Sequence, residues 1–441
     1  MYWLICFFVV ILQCLFCPTI QAQSSRVHEV TLDNGLKVLL LEDRSSPAVT
    51  FQVWYRVGSR NEEDGKSGLA HFLEHMMFKG TQKVAPEEYS RIIAKNGGRS
   101  NAFTSSDVTV YFATMSREKI GIAIELEADR MANALLDGKY FEPEKKVIME
   151  ERRLRTEDNP ISSLAEVTSA VAYTIHPYRR PVVGWMQDVE NLSREDLRRY
   201  YKTYYAPNNA FIVMVGDFSA EEMLAKVKAA FGNIPRGENP PKVRFEEPPQ
   251  SGERRVILKK EAELPFLLIY YHVPNVRSSD GFALDVLSVI LAAGRSSRLH
   301  QDLVYDKRIA QSVDADYDGL AIDSTIFSVT AQVMPDKDPA EVERAIYDAL
   351  EHVKAQPVGD KELEKAKNQI EAAFVFGQDS VFGQAMRVGR FEATAGWQLL
   401  DRYLDGIKKV TPDDILRVSR KYLDADQRTV GTLIPTKEKI L

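Results

Sequence analysis

The residues of this chain best placed to do chemistry are five in a row: His71, Phe72, Leu73, Glu74 and His75. On a helix of 3.6 residues per turn, positions i, i+3 and i+4 project from one side, so two imidazoles and one carboxylate face a common point. Neutral imidazole nitrogens are good zinc ligands, and a site with three protein ligands leaves the fourth tetrahedral position open for water. His71 and His75 therefore read as metal ligands and Glu74 as a general base beside that water. The chain has only 7 His in 441 residues, and the other five, His28, His176, His272, His300 and His352, lack ligand spacing. They read as surface or hydrogen-bonded core residues.

A third ligand must come from elsewhere. A helix is expected to open at Glu142-Pro143-Glu144, to run through Val147, Ile148, Glu150 and Glu151, and to end before Asp158-Asn159-Pro160. Adjacent helical residues point about 100° apart, so only one of Glu150 and Glu151 can face a metal squarely, and the pattern leaves that choice open. Upstream, Val30-Thr31-Leu32 and residues 36–40 flank Asn34-Gly35 as a hairpin. Residues 49–57 alternate as a strand that leads through a loop, 58–68, into the histidine helix. Pro86-Glu87-Glu88 starts a helix ending at Asn96-Gly97-Gly98, and Ser116 is expected to cap a longer one reaching Leu136. Between them, Asn101-Ala102-Phe103-Thr104 and residues 108–112 read as strands, which makes the first part of the chain mixed α+β.

The length exceeds the single-core limit of about 250 to 300 residues, so two domains are expected. With 57 basic and 63 acidic residues and no basic tract, nucleic acid is excluded as a partner. Residues 1–22 carry no charge and read as a secretory signal cut after Ala22, which sends the chain across the inner membrane to the periplasm. Uncleaved, the same apolar run is a membrane anchor. All 3 Cys, Cys6, Cys14 and Cys17, lie there, so the mature region has no disulfide and no cysteine-ligated metal. Five prolines between Pro235 and Pro249 mark residues 233–252 as a semi-rigid linker. Residues 23–232 thus form one domain and 253–441 another. The second repeats the rough element order of the first, yet its helix at Leu284-Asp285-Val286-Leu287-Ser288 has no His or Glu, so one zinc per chain is expected.

The run Gly58-Ser59-Arg60-Asn61-Glu62, Gly68-Leu69-Ala70, His71-x-x-Glu74-His75 and Met77-Phe78-Lys79-Gly80-Thr81 resembles the pitrilysin and insulinase family of zinc metallopeptidases, most nearly the mitochondrial processing peptidase and its two-domain bacterial relatives. The resemblance implies two homologous α+β domains arranged as a clamshell. It also selects Glu151, about 76 residues past the second histidine, as third zinc ligand, and Glu144 as an acidic residue supporting the site. Asn101, Ala102 and Phe103 match a strand that forms an exposed sheet edge in relatives, where an extended peptide adds by backbone hydrogen bonds. Relatives that act alone supply an Arg and, seven residues on, a Tyr from the second domain to the substrate. Those positions here are Val304 and Gln311, with Tyr305 or Arg308 as replacements only if the helix shifts register. A sister subunit carrying the Arg and Tyr is therefore implied as partner, with a homodimer as the alternative. S-ribosylhomocysteine lyase shares H-x-x-E-H but is a short chain with a site cysteine. A non-catalytic structural subunit of the same fold is the remaining alternative, and such subunits tend to lose the motif kept here.

Overall fold

The computed structural model describes residues 27–436. The N-terminal apolar segment and its three cysteines lie outside the described residues. The first sheet contains β1 (His28–Thr31), β2 (Lys37–Glu42), β3 (Ala48–Tyr55), β4 (Arg99–Thr104), β5 (Thr109–Ser116) and β6 (Ala210–Gly216), in the spatial order β1-β2-β6-β3-β5-β4. The second contains β7 (Arg254–Glu261), β8 (Phe266–Val273), β9 (Ala310–Tyr317), β10 (Thr325–Val333) and β11 (Arg428–Thr436), in the order β7-β11-β8-β10-β9. Each sheet has one parallel pair, β2 with β6 and β7 with β11, and is otherwise antiparallel. The expected hairpin is present, with Val30 opposite Val38. Between the two sheets, residues 233–252 contain no helix or strand.

Each sheet packs its own helices on one face, giving two separate apolar cores. The opposite faces are covered by exchange. Helix Val381–Thr394, from the second half, lies on β3 and β6, where Val381, Ala385 and Val388 meet Trp54, Phe211 and Val213. Helix Pro160–Ala172, from the first half, lies on β11 and β7, with Leu164 against Leu268 and Leu433. The exchange explains β3. Phe51 and Val53 alternate with Thr50 and Gln52 along it, and the polar-bearing face is as buried as the other, with Thr50, Gln52 and Trp54 all fully buried. The Gln52 amide oxygen accepts the Trp54 indole N–H at 2.9 Å, while its amide nitrogen is buried without a hydrogen-bond partner among the described residues.

Two helix starts differ from expectation. Ser116 is the last residue of β5 rather than a cap, and the helix that follows is Ile120–Asn133. The glutamate-bearing helix begins at Gly138, because Asp137 accepts the Lys139 amide at 3.0 Å and caps it a turn ahead of Glu142. Pro143 consequently lies inside that helix.

Candidate functional site

The histidine helix spans Leu69–Met76, and its N-terminus has no Ser, Thr or Asp cap. The buried Glu62 carboxylate takes that role, accepting the amides of Gly68 at 2.9 Å and Ala70 at 2.8 Å. Burial pushes the Glu62 carboxyl up to about 8, with those two amides pulling it back. Gly68 has φ of 93°, and a Cβ there would stand 2.7 Å from the Val183 carbonyl oxygen, so only glycine admits this close approach. Helix Gly138–Arg152 runs beside the histidine helix, with Phe141 stacked on Phe72 at 4.8 Å between ring centres.

Between these helices the structure brings His71, His75 and Glu151 together, one ligand atom from each lying within 4.8 Å of the others. His71 Nε2 is 3.7 Å from Glu151 Oε1, and His75 Nε2 is 3.3 Å from Glu151 Oε2. Ligands at about 2.1 Å from a tetrahedral ion stand about 3.4 Å apart, so two imidazoles and a carboxylate spaced this way fit zinc in donor type and in separation. Burial, reinforced by the neighbouring His75 charge, pushes His71 down to about 4 and keeps its ring neutral. Its Nδ1 is buried with no hydrogen-bond partner among the described residues. His75 is held differently. Burial acts to lower its pKa, but the bonded carboxylates of Glu144 and Glu151 raise it to about 9.

The bond to Glu144 is the largest of the raising effects. Glu144 Oε1 bonds His75 Nδ1 at 2.8 Å and its Oε2 receives Lys79 Nζ at 2.8 Å, so it fixes the His75 ring from behind. Burial opposes its ionisation, yet His75 and Lys79 hold its carboxyl below the usual range. Glu150 points away, pairing with Arg153 at 2.5 Å on the exposed side, and geometry thereby settles which of the two adjacent glutamates faces the histidines. Glu151 is kept below the usual carboxylate range, first by the bond from His75, and Arg155 approaches it at 2.8 Å. Glu74 is largely buried, which raises its pKa, and its Oε2 accepts the Thr104 hydroxyl at 2.6 Å.

Thr104 ends β4, and β4 is the edge of its sheet, paired with β5 alone, with Ala102 opposite Tyr111 and Phe103 opposite Val110. Asn101 is exposed and accepts the Ala102 amide at 2.9 Å. Phe103 packs its edge on Trp54. Behind the site a buried pair, Arg130 and Glu127, joins at 2.6 Å, and the Arg130 guanidinium lies 4.2 Å from the Tyr111 ring centre. Sequence reasoning missed Glu62, Lys79, Thr104 and Arg130 as site residues. Only Lys79 carried a signal, at i+4 from His75.

The positions expected of an Arg and Tyr do not join this cluster. Val304 packs on the second core, Gln311 is exposed on β9, and Tyr305 and Arg308 are exposed. No hydrogen bond or ion pair links them to His71, Glu74, His75 or Glu151 among the described residues. His176 bonds Asp323 at 3.1 Å and His272 bonds the Ala172 carbonyl at 2.9 Å, both away from the cluster.

Residues 37–184 match the model for insulinase, peptidase family M16, and residues 191–370 match the model for the peptidase M16 inactive domain. The chain is 33% identical over 413 residues to "Zinc protease PqqE" of Helicobacter pylori, covering 92% of this chain and 93% of that protein. It is 30% identical over 409 residues to an uncharacterized zinc protease of Mycobacterium tuberculosis, covering 92% and 93%. A crystal structure of a protease from Helicobacter pylori superposes with a TM-score of 0.90 at 32% identity, covering 93% of this chain and all of that one. The periplasmic protease PqqL of Escherichia coli shares the fold at a TM-score of 0.79 and 18% identity, with this chain matching 48% of its length. With an insulinase half that carries the histidines, a second half of the inactive type, and relatives alike from end to end, this chain belongs to peptidase family M16 and has its two-domain α/β fold.

Proposed function

We propose that this chain is a zinc-dependent endopeptidase or oligopeptidase that hydrolyses short, unfolded peptides. The observation that carries the reading is the convergence of His71, His75 and Glu151 beside Glu74. His71 Nε2, His75 Nε2 and a Glu151 oxygen would hold the ion. Zinc, when bound, supplies a Lewis acid that polarises the scissile carbonyl and acidifies water. Glu74 removes the proton from the attacking water and returns it to the leaving amine, a task suited to a carboxyl whose proton affinity burial has raised. The edge of β4 at Asn101, Ala102 and Phe103 holds the peptide extended through its backbone, which favours unfolded chains over folded ones.

The reading extends to a partner and a location. Val304 offers no donor and Gln311 only a short neutral amide where the resemblance implies Arg and Tyr, and loss of one oxyanion donor typically costs about 3 kcal/mol. A sister subunit that brings those side chains therefore completes the site. Residues 1–22 direct export, so the mature chain works in the periplasm.

The test measures zinc content and peptide hydrolysis of the purified mature chain, alone and mixed with a candidate sister chain of the same family that carries the Arg and Tyr. The expected result is stoichiometric zinc, weak hydrolysis alone and strong hydrolysis in the mixture. Absence of hydrolysis in both would overturn the peptidase reading, and full activity alone would overturn the partner.

A further inference from the structure

We propose that Thr104 is a positioning residue for Glu74: its hydroxyl fixes one carboxylate oxygen and so presents the other to the attacking water, linking the base to the strand that holds the peptide. The inference rests on the reading of Glu74 as the general base.

The geometry starts with the carboxylate. Glu74 Oε2 accepts the Thr104 hydroxyl at 2.6 Å, a distance typical of a charge-assisted bond. No other hydrogen bond or ion pair reaches the Glu74 carboxylate among the described residues, so Oε1 is left without a protein partner. The last torsion of a glutamate is soft and roughly two-fold, and a single donor on one oxygen is enough to select an orientation.

The position of that donor is itself fixed from behind. Thr104 pairs with Thr109 at the end of the β4–β5 hairpin. The turn is held by the loop 58–61, where the Ser59 and Arg60 amides donate to the Ser105 and Ser106 carbonyls at 3.2 and 2.9 Å. A Cβ on Gly58 would stand 2.3 Å from the Ser105 oxygen, so glycine is what lets the loop approach so closely. Asp107 anchors the same turn, accepting the Tyr178 hydroxyl at 2.8 Å within the first half and the Ile322 amide of the second half at 2.9 Å. The Gly58-Ser59-Arg60 run thus supports Thr104, and through it Glu74, although it lies outside the metal cluster. A peptide added along β4 is placed by the strand whose last side chain aims the base. Peptide register and proton transfer are then set by one rigid element.

The experiment uses the full mature chain with its partner subunit. Thr104→Val keeps the β-branched shape and deletes the donor, while Thr104→Ser keeps the donor. For Thr104→Val the expected result is kcat lower by about tenfold or more, KM within about twofold, and unchanged zinc content. Thr104→Ser should restore kcat to within about threefold, and Thr104→Val placed in Glu74→Gln should lower the residual rate no further. A Thr104→Val chain at the parent kcat, equal losses in Val and Ser, or loss of zinc would each overturn the proposal. One arm needs no activity. Unfolding midpoints of Thr104→Val, Glu74→Met and the double variant should be non-additive, and strictly additive shifts would show that the bond does not form. That arm judges the bond even if the chain hydrolyses nothing, a result that would instead overturn the peptidase reading.

Discussion

Glu144 offers the sharpest test of how the metal residues are held. It touches neither the ion position nor the water, and it acts only through His75 Nδ1 at 2.8 Å. The carboxylate makes the imidazole a better donor to the ion and locks the ring so that Nε2 faces Glu151. Removing a partner of this type typically lowers metal affinity by about 10 to 100-fold, which is about 1.4 to 2.8 kcal/mol. The two ends of that range belong to two substitutions. Glu144→Gln keeps an oxygen that can accept from Nδ1 and loses only the charge, so about tenfold is expected. Glu144→Ala leaves Nδ1 without an acceptor and takes from Lys79 its buried partner at 2.8 Å, leaving that ammonium only the exposed Glu87 at 3.2 Å, so the loss approaches 100-fold. The assay is competition for zinc against a chromophoric chelator at neutral pH, with circular dichroism to show that each variant is folded. An alanine variant that binds zinc as tightly as the parent would refute the reasoning, because ring fixation and charge would then contribute nothing.

Other outcomes follow from the same geometry. Glu74→Gln should retain stoichiometric zinc while hydrolysis falls by about two orders of magnitude or more, and His71→Ala should lose zinc and activity together; parent-like cleavage by Glu74→Gln would exclude it as the base. Asp285 is largely buried, and burial lifts its carboxyl to about 6 from an ordinary 3.8, although Tyr403 donates to it. Because its folded pKa lies above the unfolded one, the resulting cost of about 3 kcal/mol is absent below pH about 4 and complete above about 6. Asp285→Asn should therefore stabilise the chain in urea unfolding at pH 8 and not at pH 4, and an equal gain at both would contradict that origin. The fragment 23–232 should fail to unfold cooperatively on its own, since without helix Val381–Thr394 it exposes Trp54, Phe211 and Val213; a sharp unfolding transition for the fragment would show that the covering helix is dispensable.

The face shared by His71, Glu74 and His75 was legible because it depends on a short periodicity. His71, Glu74 and His75 share one helical turn, and a turn's geometry follows from sequence spacing alone. Glu151 was legible only through resemblance, since its choice over Glu150 depends on how two helices lie side by side. The same limit applies to Glu62. A carboxylate six residues ahead of the Gly68 amide resembles no capping box, and its role appears only once the loop between them folds back on the helix. Thr104 was legible as a strand residue but not as a partner of Glu74, because strand alternation tells which face a side chain takes and says nothing of what stands opposite.

The largest gap between sequence and structure concerns what covers the sheets, and it bears on the site. Strand alternation in β3 names two faces but not what covers each, and the face carrying Thr50, Gln52 and Trp54 is closed by a helix more than three hundred residues away in the chain. No local pattern encodes such a cover, because Val381, Ala385 and Val388 make an ordinary amphipathic stripe that would pack equally well on its own half. The cover nevertheless reaches the chemistry. Trp54 meets Val388 on one side and the edge of Phe103 on the other, and Phe382 lies 4.9 Å from Phe112 between ring centres. The second half, which among the described residues contributes none to the His71, His75 and Glu151 cluster, therefore packs directly behind β4, the strand that carries Ala102, Phe103 and Thr104, and its neighbour β5. The stiffness of β4 is then a property of both halves, and under the proposed function substitutions in helix Val381–Thr394 are expected to lower hydrolysis through β4 while zinc content stays that of the parent; loss of zinc in such variants would contradict this.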